Sequence, residues 1–118
     1  MEGSRVISVH EYQLRPGRNG QDLERAYQQA QTRGLFNIQG LIEHQLLHGL
    51  RGHRQGKYAA LWIYESIQAW EALWGKAGNP IPKDEYPLTW KIWEEELLSP
   101  LLVQDPDNIN FTSYIILD

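Results

Sequence analysis

The chain has no cysteine, which excludes disulfides, thiolate metal sites and thiol nucleophiles. No apolar run approaches the ~20 residues of a membrane span, and the N-terminus lacks the apolar core of a signal peptide. No run of Lys and Arg offsets the formal net charge of −4, so a phosphate backbone is a poor partner. Solenoid repeats and low-complexity segments are also missing. These absences lead us to expect a cytoplasmic protein that binds neither nucleic acid nor membrane.

Aromatic side chains are plentiful: five Trp and six Tyr in 118 residues. That length predicts one domain over 1–118, burying roughly two thirds of the surface its unfolded chain exposes. The most telling segment is Lys57 to Glu65, KYAALWIYE. Tyr58, Ala60, Trp62 and Tyr64 share one face of this strand, and Ala59, Leu61 and Ile63 share the other. It carries no charge from Tyr58 to Tyr64, so both faces are expected to be covered. The aromatic face suits a pocket wall, and the aliphatic face suits contact with another sheet.

The remaining elements follow from periodicity and punctuation. Arg5 to Leu14 alternates as a strand and ends at Pro16-Gly17. Asn19 caps a helix whose stripe is Leu23, Ala26, Tyr27 and Ala30, with Gly34 at its end. Gly40 opens a strand over Leu41 to Gly49, and Leu50 to Gly56 is a hairpin loop. Ser66 caps a second helix with Ile67, Trp70, Leu73 and Trp74 inward. Gly75 to Pro87 reads as a loop, Pro87 to Leu98 as a third helix, and Ile109 to Leu117 as the last strand. Glu94-Glu95-Glu96 reads as a solvated helix face.

This order predicts an α+β, ferredoxin-like βαββαβ fold with an extra helix before the last strand. Right-handed crossovers put the first and third strands in the middle of a four-stranded antiparallel sheet, with helices on one face. The other face carries Ile7, Val9, Leu61 and Ile63. A second copy of the sheet is its simplest cover, which predicts a homodimer through that face.

The run Leu14-Arg15-Pro16-Gly17, the helix after it, Gly40, and the aromatic strand entering Glu65-Ser66 resemble the dimeric α+β barrel superfamily. That group includes antibiotic-biosynthesis monooxygenase-like proteins, stress-responsive barrels and heme-degrading monooxygenases. The resemblance implies two sheets packed as a barrel and a small-molecule cavity between each sheet and its helices. The segment from Gly75 to Pro106 is longer than in the shortest members, as a lid or as extra packing.

On this phase the cavity wall includes His10, Tyr12, His44, Trp62 and Tyr64, with Trp70 or Trp74 above. Imidazole exchanges protons near neutrality, so His10 or His44 is the candidate general base. Tyr64 is the candidate for orienting a ligand or stabilising an oxyanion; Tyr12, Trp62, Trp70 and Trp74 would bind substrate. The same spacing also marks a plain core, and His10 also suits a histidine bonded to backbone. Ile42, His44, Leu46 and His48 are expected on one face of the second strand. His44 and His48 lie ~13 Å apart on it, and the third strand separates His10 from His44, so no metal site is expected. Neither helix two nor helix three has a His, which disfavours heme; no cofactor is expected. The expected activity is a cofactor-independent monooxygenase, or a cyclase or isomerase, acting on a small aromatic or polyketide-like molecule. The alternative is a non-catalytic ligand-binding or sensing homodimer.

Overall fold

β1 (Val6–Tyr12), α1 (Gly20–Thr32), β2 (Leu41–His48) and β3 (Tyr58–Tyr64) come first in the computed structural model, which describes residues 3–117. α2 (Ile67–Trp74), the two-residue strands β4 (Gly75–Lys76) and β5 (Asn79–Pro80), α3 (Leu88–Ile92) and β6 (Phe111–Ile115) follow. β2, β3, β1 and β6 form one antiparallel sheet in that order, with β1 and β3 central. This is the ferredoxin-like α+β arrangement expected from the order of elements.

Local signals account for the helix starts. Asn19 accepts from the backbone of Asp22, and Asp22 accepts in return from Asn19 N–H, which satisfies two otherwise orphan donors. Ser66 Oγ caps α2 through Ala69 N–H at 3.0 Å. Gly40 has φ +92°, and a Cβ there would lie 2.8 Å from the Ala69 side chain. Only glycine lets the start of β2 sit this close to α2.

The two faces of the sheet differ as expected. Under the helices, Val6, Tyr12, Ala60, Trp62 and Tyr64 are buried, together with Leu23, Ala26, Tyr27 and Ala30 of α1. On the far side Ile63 is buried, Ile7, Val9 and Leu61 are half-buried, and Tyr114 is 58% exposed.

Three details depart from the sequence reading. A bulge between Leu41 and Glu43 leaves Ile42 out of register and 51% exposed, so Leu41, not Ile42, shares the inner face with His44. Residues 75–87 are not wholly loop, since β4 pairs with β5 and Lys83–Glu85 forms a 3-10 turn. α3 runs without a break into a π-helical turn, Trp93–Leu98, where Glu94 is buried while Glu95 and Glu96 are exposed. The segment after α2 supplies core as well as cover: Trp90, Trp93, Leu98, Leu101 and Leu102 all join the main cluster.

Candidate functional site

The centre of the inner face is Trp62, fully buried on β3. Its indole lies 5.8 Å from the His44 ring on one side and 5.9 Å from the His10 ring on the other. β1 and β2 flank β3, so the two histidines stand two strand spacings apart and do not converge. They belong to different environments.

His44 turns toward α1, where its Nδ1 is hydrogen-bonded to the Tyr27 hydroxyl. Its ring also packs against Phe36 at 5.0 Å. Burial holds its pKa below the ordinary value, against the opposing pull of Glu43. The Tyr27 bond gives His44 a satisfied partner away from the cleft described next.

His10 lines a cleft of about 370 Å³ between the inner face and the chain that follows α2. Ser8, His10, Tyr64, Phe111 and Ser113 form the sheet side. Ser8 Oγ and Ser113 Oγ share a hydrogen bond of 2.7 Å across β1 and β6. Trp70, Trp74, Tyr86 and Trp90 form aromatic walls, and Glu94 projects from the π-helical turn. Trp74 meets Tyr86 and Trp90 edge to face, at 5.1 and 5.3 Å between centroids. At the rim Lys83 Nζ donates to Asp107 at 2.7 Å, joining two wall segments.

The cleft therefore brings together His10, Tyr64, Trp70 and Trp74 among the residues the sequence singled out. Trp62 and Tyr12 are not lining residues; they are core side chains behind the wall. Glu94 is the residue that sequence reasoning missed. It follows Trp90 at i+4, so helical spacing put it on the buried stripe, but its place in a run of three glutamates read as surface.

Burial shapes the chemistry of each group. It lowers the His10 pKa from 6.5 to about 4, so the imidazole is neutral at physiological pH and a weak base. Burial, and secondarily the charge of Asp107, raises Glu94 from 4.5 to about 7, with Lys83 opposing. The Tyr64 hydroxyl is pushed up by burial and remains protonated. A carboxyl poised near neutrality is better matched to proton transfer than an imidazole held far below it. Four buried polar atoms among the described residues lack a hydrogen-bonding partner: Tyr12 Oη, Trp62 Nε1, Trp93 Nε1 and Glu94 Oε1. Of their residues, only Glu94 lines the cleft. Among the described residues no three His, Asp or Glu side chains gather as metal ligands, and no helix is long and apolar enough to cross a membrane.

No protein-family model and no curated protein sequence matches the chain. Solved structures do. A protein of Caulobacter crescentus provisionally named an antibiotic biosynthesis monooxygenase is 14% identical, with TM-score 0.62 over 99% of this chain and 93% of that one. A dabb family protein of Mesorhizobium loti with a ferredoxin-like fold is 10% identical, with TM-score 0.62 over 98% and 99%. The hydroxynitrile lyase of Passiflora edulis is 14% identical, with TM-score 0.63 over 98% and 96%. The fold is thus that of the antibiotic-biosynthesis monooxygenase-like and dabb ferredoxin-like proteins. Neighbours with such different names share a scaffold, and a scaffold does not fix a reaction.

Proposed function

We propose that the protein handles a small aromatic or polyketide-like molecule in the cleft, as a cofactor-independent monooxygenase or as a cyclase or isomerase. The observation that carries this reading is the convergence of His10, Tyr64 and Glu94 within walls made of Trp70, Trp74, Tyr86 and Trp90. Flat rings stack a flat ligand, and the few polar groups fix its orientation. His10, neutral at rest, accepts a hydrogen bond or a proton, and Tyr64 donates to an oxygen that gains charge. The general-base role rests on His10 and Glu94 rather than on His44, whose ring is engaged by Tyr27.

In a screen of polycyclic phenols followed by oxygen uptake and product analysis, His10→Ala and Tyr64→Phe are each expected to lower turnover by about 100-fold. Unchanged turnover in both variants refutes the roles given to these residues. Binding without turnover in the unmodified protein favours the second reading, a ligand-binding or sensing protein.

We also propose that the chain pairs with itself through the outer sheet face. Ile7, Val9, Leu61 and Ile63 make a self-complementary apolar centre there, bordered by exposed Glu43 and Gln45. Leu61→Glu is expected to shift sedimentation from dimer to monomer. Monomeric sedimentation of the unmodified protein at micromolar concentration excludes the pairing.

A further inference from the structure

Glu94 is 6% exposed, yet its Oε1 has no hydrogen-bonding partner. A buried carboxyl is normally compensated by bonds or by an opposite charge. Here a hydrogen bond from the Trp90 side chain and the charge of Lys83 offset the burial only in part. Asp107 and Asp105, on the segment that closes the cleft, are of the same sign, and Lys83 is engaged by Asp107 at 2.7 Å. Of the other titratable groups around it, burial keeps His10 neutral and the Tyr12, Tyr64 and Tyr86 phenols protonated, and Lys76 lines the same cleft. Glu94 thus lines the cavity with a carboxyl of which one oxygen, the buried Oε1, has no partner in the protein.

We propose that Glu94 sets the specificity of the cleft: it selects aromatic molecules that offer it an O–H or N–H and rejects those lacking that donor. This inference rests on the aromatic-ligand reading given above and adds the polar half of the recognition. A site built around an unpaired buried acceptor discriminates strongly, because an analogue without the donor leaves that acceptor desolvated and unmatched. Stacking on Trp74, Tyr86 and Trp90 supplies affinity that both kinds of molecule share.

The test uses two probes on the full chain, 2-naphthol and 2-methoxynaphthalene, in which a methyl ether replaces the donor O–H. Equilibrium dialysis at pH 8 keeps Glu94 largely ionised, and the phenolic O–H stays largely neutral, as tyrosine does to about pH 10. 2-Naphthol is expected to bind at least tenfold more tightly. In Glu94→Leu, which keeps side-chain bulk and removes the acceptor, the two affinities are expected to become equal. Equal binding of both probes by the unmodified protein overturns the role of Glu94 and leaves the aromatic cleft standing. A preference that survives in Glu94→Leu also overturns it, since the methyl group is then being excluded by size. Binding of neither probe overturns the aromatic-ligand reading and this inference with it.

Discussion

Trp62→Ala is expected to destabilise the protein by about 3–5 kcal/mol, the range for emptying a buried aromatic site. Trp62 has no exposed surface and contacts elements on every side. Its ring meets Trp90 at 4.8 Å, Phe36 at 5.0 Å, and His10 and His44 at 5.9 and 5.8 Å. The neighbouring rings are held by different elements, so they cannot all collapse into the void. One effect acts the other way: Trp62 Nε1 is buried without an acceptor, and truncation removes that unpaired donor. The cavity term is the larger of the two, because a whole indole is lost. Urea denaturation measures the change as a fall in midpoint at constant slope. A loss below about 1 kcal/mol would mean that this side chain is not the keystone its surroundings indicate.

The second large effect depends on pH. Glu94 has a folded pKa of about 7 against an ordinary 4.5. Below about 4.5 the carboxyl is protonated in both states, and it contributes no pH-dependent term. As pH rises the unfolded chain ionises first, so stability falls until about pH 7 and the deficit is then complete. A shift of this size corresponds to roughly 3 kcal/mol. His10 acts in the opposite sense. Its folded pKa is lowered from 6.5 to about 4, so its contribution is intact above 6.5 and is lost as pH falls toward 4.

Between about pH 4.5 and 6.5 the two dependences oppose and nearly cancel. Glu94→Gln is therefore expected to gain on the order of 2–3 kcal/mol over the unmodified protein at pH 8 and almost nothing at pH 4. His10→Phe is expected to show the reverse trend, its stability relative to the unmodified protein improving as pH falls. Denaturation curves at pH 4.5, 6 and 8 give both slopes, and the slope rather than the absolute offset carries the result. Profiles of both variants parallel to that of the unmodified protein would sink the assignment of these two groups as the buried titrating pair.

Much of the fold was legible because its signals are local. Asn19 and Ser66 sit where caps are needed, and the alternation of β3 sets which residues face the helices. The pairing of Ser8 with Trp62 and of His10 with Ala60 follows from that phase. The bulge at Ile42 was not legible, since an apolar residue there satisfies either phase and a period of two cannot register an extra residue. The partner of His44 was hidden too, because it depends on how α1 crosses β2 rather than on any spacing within one element. Glu94 lay within reach of a helical-spacing argument from Trp90. Composition misled there: three adjacent carboxylates suggest water, although the π-helical turn buries the first and exposes the other two.

Val9 and His10 are chain neighbours, yet the backbone of β1 stands between their side chains. One sits in the aliphatic exterior, the other in the aromatic hollow. A substitution at an odd-numbered position of this strand therefore alters the outer face of the sheet, and one at an even-numbered position alters the side under the helices.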